Sequence, residues 1–265
     1  MSKPKNYYLF VCLAYLALGV GTFVFLTESK MPATVFLRYC LYFVAILFLY
    51  LVIYVLVFSF RSRWLYNRLF NHLEIEPALG WINKQLKNKR LGEKHRIVWL
   101  MDRALVLNLK GDIDDSLLIM NNIKEYIDNK SNIFFKTLYY NNLLTFLLDS
   151  EKFDEAKELY QEHKDFFENE KMFNKKPHLR SVVENTIASY NVIFGNTENS
   201  KKQLLEILSK NNNKKVTILN TEYYIALADL KLGHKEEAKA RLSKILEQSR
   251  GIHLYNMVQK KLKEI

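Results

Sequence analysis

Six histidines, two cysteines and a few acidic clusters are the residues best equipped for chemistry, and their spacing argues against it. His72, His95, His163, His178, His234 and His253 stand far apart, and none belongs to an HExxH pair or another metal-ligand spacing. Both cysteines, Cys12 and Cys40, fall in apolar stretches, so no thiol in the polar part can join a histidine at a metal. Asp112, Asp114 and Asp115 cluster where a helix should begin, a place where carboxylates complement the helix dipole, and they lack the twelve-residue calcium-loop pattern. The chain has no Gly-rich phosphate loop, no GxSxG elbow and no kinase-type constellation. The expectation is a protein that is not an enzyme and needs no cofactor or metal.

The elements that would carry any function begin with two uncharged runs. Residues 39–60 (YCLYFVAILFLYLVIYVLVFSF) contain no charge, proline or glycine. At ~1.5 Å per helical residue they reach about 33 Å, enough for a ~30 Å hydrocarbon core. Residues 7–26 form a second uncharged run, longer than the apolar core of a signal peptide and without a small-x-small cleavage site behind it. The short segment 27–34 joins them, which predicts a transmembrane hairpin over 1–60. Lys3 and Lys5 precede the first span, Arg61, Arg63 and Arg68 follow the second, and only Lys30 and Arg38 lie between. That asymmetry predicts a two-pass protein of the cell membrane with both termini in the cytoplasm.

Ala17 and Gly21 stand four apart in the first span, spacing that lets a second helix approach closely. Tyr39, Tyr42, Tyr50 and Tyr54 share one ~120° arc of the second span. Such a stripe packs on the first helix or docks another integral membrane protein, since a phenol near the bilayer centre needs a partner. Arg61, Arg63, Trp64 and Trp81 suit the membrane interface.

The net charge of +11 is uneven. Residues 61–96 hold nine basic residues against three acidic ones, whereas residues 97–265 hold 26 against 24. The excess therefore lies beside the membrane, where anionic lipid explains it, and a nucleic-acid partner is not expected. Residues 61–92 read as a basic helical connector. Leu65, Leu69 and Leu73 repeat every four positions, and 77–91 forms an amphipathic helix with Leu79, Ile82 and Leu86 on one face. That helix either lies on anionic lipid or covers the first hairpin of the domain behind it.

From residue 93 the chain repeats itself. Polar turns at 110–112, 149–151, 194–196 and 232–234 align Gly111, Glu151, Gly195 and Gly233. Five residues on come the small residues Ser116, Ala156, Ser200 and Ala238, spaced by 40, 44 and 38, and four further on come Met120, Tyr160, Leu204 and Leu242. Ala104, Leu144, Ala188 and Ala226 mark one position of the preceding helices. Repetition of this kind predicts helical hairpins stacked in series.

On these residues, and above all on LLDSEKFDEAKELYQE at 147–162 and YYIALADLKLGHKEEAKARLSKIL at 223–246, residues 93–248 resemble the tetratricopeptide-repeat family. The resemblance implies an all-α fold in which the membrane hairpin precedes an α-solenoid of about four hairpins. Residues 93–265 would be that domain, closed by a capping helix at 250–264. It also implies a concave groove for an extended peptide or helix, made by the first helix of each pair. Carried over singly, the groove positions are Met101, Leu105 and Asn108; Leu138, Asn141 and Thr145; Val182, Asn185 and Ser189; and Asn220, Tyr223 and Leu227. The expected role is a membrane-anchored scaffold or adaptor that binds a protein partner in the cytoplasm. The alternative is an accessory or regulatory subunit of a membrane complex, such as a transporter, docked through the hairpin. Residues 149–170 add nine acidic residues against three lysines, a solvated ridge or a place for a basic partner.

Overall fold

The structure, a computed structural model, describes Gly19 and residues 33–265 apart from 176 and 211–213. The chain divides into two compact units, Met1–Arg63 and Trp64–Ile265. Among the described residues there are thirteen helices and no strand.

Helix α1, Ala33–His72, is forty residues long. Its stretch Cys40–His72 is long and apolar enough to cross a membrane, and it is the one helix of that kind among the described residues. The other expected span, with Ala17 and Gly21, lies outside them except for Gly19. In the first unit Tyr42 and Tyr50 are exposed at 65% and 40%, while the side chains of Tyr39 and Tyr54 lie outside the described residues. The sequence pattern then changes from uniformly apolar to a four-residue leucine repeat. In the second unit Leu65, Leu69 and Leu73 are buried accordingly.

The second unit continues as α2, Ile75–Leu86; α3, Glu93–Lys110; and α4, Ile113–Lys130. Next come α5, Ile133–Asp149; α6, Phe153–Glu162; α7, Lys164–Phe167; and α8, Glu170–Lys175. It closes with α9, Pro177–Phe194; α10, Thr197–Ser209; α11, Lys215–Lys231; α12, Lys235–Gln248; and α13, His253–Glu264. Helix α2 lays Ile75, Ala78 and Ile82 into the core and packs along α3, so its apolar stripe serves the domain interior. Packing then runs between neighbours: α3 with α4, α4 with α5, α9 with α10, α10 with α11, α11 with α12 and α12 with α13.

Three of the four intra-pair turns share one device. The amide of Asp112 reaches the carbonyl of Leu107, that of Lys152 reaches Leu147 and that of His234 reaches Asp229, each at 2.9 Å. This closure needs a left-handed residue just past the helix, and Gly111 (φ 100), Glu151 (φ 57) and Gly233 (φ 84) supply it. A glutamate there carries strain of order 1 kcal/mol. Its carboxylate in turn holds Lys260 of α13 at 2.6 Å. The small residues behind the turns are fully enclosed: Ser116, Ala156 and Ala238 are 0% exposed and Ser200 is 2%.

The second pair departs from the pattern. Its second helix stops after ten residues at His163, whose ring stacks on Tyr140 with centroids 3.6 Å apart. The short helices α7 and α8 follow, and they account for the long 44-residue interval.

Equivalent three-helix junctions are filled in opposite ways. Leu117, Leu147 and Leu159 meet where α4, α5 and α6 converge. The corresponding positions of α10, α11 and α12 are Lys201, Asp229 and Arg241. Asp229 is 1% exposed, with Lys201 Nζ at 2.5 Å and Arg241 Nε at 3.4 Å. Arg241 also pairs with Glu222. Stripping both cations from a buried carboxylate is costly, whereas replacing a whole buried ion cluster by packed apolar residues is often neutral. Lys201→Leu with Arg241→Leu is therefore expected to destabilise the chain by about 2–4 kcal/mol. Adding Asp229→Leu, which copies the leucine junction, should recover most of that loss. Unfolding midpoints of the two variants in detergent check it, and equal midpoints reject it.

Candidate functional site

The first helices α3, α5, α9 and α11 are the elements expected to line a groove. They run parallel and are joined side by side by hydrogen bonds at the repeat interval. Asn108 Nδ2 donates to Asp149 Oδ2 at 2.8 Å, and the hydroxyls of Thr145 and Thr186 lie 3.4 Å apart. Thr221 Oγ1 donates to Asn185 Oδ1 at 3.0 Å. These bonds span 41, 41 and 36 residues, so each rung joins one first helix to the next.

That layer decides where the expected groove residues lie. Met101, Asn108, Asn141, Ser189 and Tyr223 are buried, none more than 4% exposed. Leu105, Leu138, Thr145, Asn185, Asn220 and Leu227 are partly buried, and Val182 is exposed at 47%. Asn108, Thr145 and Asn185, expected as groove positions, bond instead to the neighbouring helix. Ser189 turns its hydroxyl to the carbonyl of Asn185 in its own helix at 2.9 Å. At the interface positions Arg61, Arg63 and Trp64 are exposed, and the Arg68 guanidinium lies over the Trp64 ring at 4.6 Å. Trp81 is half-buried on α2.

One polar node joins the two ends of the array. Asp149, at the end of α5, accepts from Asn108 on α3 and from Tyr224 Oη on α11 at 3.5 Å. His253 of α13 lies against it, close enough to Gly111 that a side chain there would meet the imidazole at 3.1 Å. Burial drives the Asp149 carboxyl up to about 6, against the lowering effect of its two hydrogen bonds. Burial lowers the His253 imidazole and raises the Tyr224 phenol. No sequence signal marks this node, because its four residues come from four helices.

Two of the surface clefts bear on a binding role. The larger, about 430 Å³, lies between α11 and α12, and its Glu222 and Arg241 pair with each other. The other, about 270 Å³, lies over α5 between α4 and α6. Its floor is Leu117, Leu143, Leu147 and Leu159, and Glu155, Glu158 and Glu162 form one rim. Sequence reasoning found the acidic ridge but missed the leucine floor, to which α4 and α5 contribute. Among the described residues no group of three or more His, Cys, Asp or Glu is placed to hold a metal ion.

The described chain is thus an all-helical protein with one candidate membrane-spanning helix and a layer of parallel first helices. No family model, curated protein or solved structure matches it.

The first-helix layer can be tested at two points. Asn185→Ala removes one rung and should cost about 1 kcal/mol of stability, read as a lower unfolding midpoint; an unchanged midpoint would return Asn185 to a surface role. Asp149 binds its proton more tightly folded (about 6) than unfolded (ordinary value 3.8), so its contribution is full at low pH and is lost as pH rises through about 4 to 6. Asp149→Asn removes that loss. Its stability relative to the parent chain should grow by about 2–3 kcal/mol between pH 4 and 7, measured as the difference in unfolding midpoints. A pH-independent difference counts against it.

Proposed function

We propose that the protein is a membrane-anchored adaptor rather than an enzyme. In this reading α1 crosses the bilayer and residues 7–26 supply a preceding span, leaving both termini in the cytoplasm. The cytoplasmic helical pairs, similar to tetratricopeptide repeats, hold a protein partner at the membrane. The observation that carries the reading is the cleft over α5. There Glu155, Glu158 and Glu162, with Lys152 paired to Glu155, surround an opening over Leu117, Leu143 and Leu147, which are buried, and Leu159, which is half-buried. Among the described residues Glu158 has no ion pair, so its charge is available to a partner. The first-helix layer is a less suitable surface, because its polar side chains already bond across the helices. Carboxylates gathered over closely packed leucines suit an amphipathic helix or extended segment that lays lysine or arginine along the rim.

The test uses the full chain in its native membranes. Glu158→Lys with Glu162→Lys alters only exposed side chains, so the helical content should hold. A partner that crosslinks to the parent chain and purifies with it should be lost from the variant. Retention of the same partner by the folded variant rejects the cleft. Exchanging the span for an unrelated one separates this reading from docking through the membrane helix: the adaptor keeps its partner and a membrane-docked subunit loses it.

A further inference from the structure

The helices of the second unit are arranged so that charge is sorted by end. Helices α2 and α3 run antiparallel. Lys110 Nζ at the end of α3 meets Glu76 at the start of α2 at 3.5 Å. At the other end Arg96 reaches the carbonyls of Leu86 and Asn88, both at 3.4 Å. Tyr66 Oη donates to Asp102 Oδ2 at 2.5 Å, level with the middle of α3. Residues 87–92, between α2 and α3, lie at the end where α3 begins.

Every later connection between pairs returns to that end, because the first helices are parallel. Lys130, at the end of α4, pairs with Glu93 at the start of α3 at 3.1 Å. Lys136 Nζ, in the first turn of α5, donates to the carbonyl of Asp128 at 2.6 Å. At the start of α11 the amide of Lys215 donates to Asn71 Oδ1 at 3.2 Å and the Lys214 ammonium lies 4.4 Å over the Phe70 ring, both in the last turn of α1. Connections 84–94, 128–136 and 209–215 together hold ten basic residues against two acidic ones, while 163–176 is close to balanced. The intra-pair turns occupy the opposite end, and 111–115, 151–155, 195–199 and 233–237 hold nine acidic residues against two lysines.

We infer that the basic end of the second unit, centred on Lys84, Lys87, Lys89, Arg90 and Lys94, docks on the anionic headgroups of the bilayer that α1 crosses. The inference rests on the anchor reading above and adds the orientation of the domain and the lipid class it requires. All five side chains are exposed, and Lys84, Lys87 and Lys89 have no ion pair among the described residues. The apolar stripe of α2 is used inside the domain, so this surface acts by charge and inserts nothing. The acidic turns at the far end are repelled by the same lipid, and the two effects orient the unit together.

The full chain, with Cys12→Ser and Cys40→Ser, is placed in nanodiscs of phosphatidylcholine alone or mixed with phosphatidylglycerol. It carries a donor dye on Asn88→Cys or, at the opposite end, on Asp114→Cys, and the lipid headgroups carry the acceptor. Energy transfer from position 88 should rise when phosphatidylglycerol is present, and transfer from position 114 should not. The rise should vanish at ~1 M salt, where screening shortens to about 3 Å. It should also vanish in Lys84→Glu/Lys87→Glu/Lys89→Glu, since each basic residue near such a surface is worth about a fivefold change in partition. Transfer from position 88 that ignores lipid charge, or a rise that survives both salt and charge reversal, overturns the inference. Co-elution with the discs reports the anchor separately. Should the chain stay outside them, the anchor reading fails, and sedimentation with vesicles of the two compositions decides the surface. Salt-sensitive binding to phosphatidylglycerol vesicles then sustains it, and no binding overturns it.

Discussion

The second unit depends on a row of hydrogen bonds between parallel helices. Apolar faces alone leave a helix free to slide or rotate against its neighbour at little cost, because one aliphatic side chain packs in place of another. A buried carboxamide or hydroxyl does not permit this, since separating it from its partner costs the full desolvation of the group. Asn108 with Asp149, Thr145 with Thr186 and Asn185 with Thr221 therefore pin successive first helices to one register. Everything wrapped around that layer inherits the register. The second helices settle over the junctions, and α13 returns to the turns at Gly111 and Glu151.

The two three-helix junctions show how much freedom remains once the register is set. Leu117, Leu147 and Leu159 occupy one, and Lys201, Asp229 and Arg241 occupy its counterpart. The backbone arrangement accommodates both, so it does not depend on either chemistry. The difference lies in what each leaves outside. The ionic junction satisfies its own charges, with Arg241 also engaging Glu222. The leucine junction has no polar group to satisfy and lies at the base of an open cleft whose rim carboxylates face water.

Much of this was legible in the sequence. Aligning Glu151 with Gly111 and Gly233 identified three residues that share a left-handed backbone, although only two are glycine. The small residues after each turn, and Ala104, Leu144, Ala188 and Ala226 in the first helices, are all enclosed, because close helix approach leaves no other place for them. Leu65, Leu69 and Leu73 marked where α1 becomes amphipathic. What could not be read was the direction in which the polar residues of the first helices point. An asparagine on such a helix has the same sequence signature whether it faces a groove or a neighbouring helix. The choice depends on how tightly the pairs wind, which is a property of all of them together. The break at His163 was hidden for a related reason: it is fixed by stacking on Tyr140, twenty-three residues earlier and in another helix.

Parallel first helices also explain how an ordinary composition becomes an electrical polarity. Taken along the chain, residues 97–265 are nearly neutral, and no segment beyond the connector suggests a basic face. Once the ladder aligns the first helices, all intra-pair turns fall at one end and all connections between pairs at the other. Acidic residues are favoured in the turns, because each turn opens the second helix of its pair and carboxylates suit a helix N-terminus. Asp114 and Asp115, Asp154 and Glu155, and Glu236 and Glu237 all occupy such first turns. Among the second helices only α4 has a basic residue in its last turn, Lys130, so the basic excess of the connections comes from the lysines and arginine of 84–94 and 209–215 themselves. That rule for first turns, applied four times with every copy pointing the same way, gives the unit its acidic end, and the lysine-rich connections 84–94 and 209–215 give the basic one.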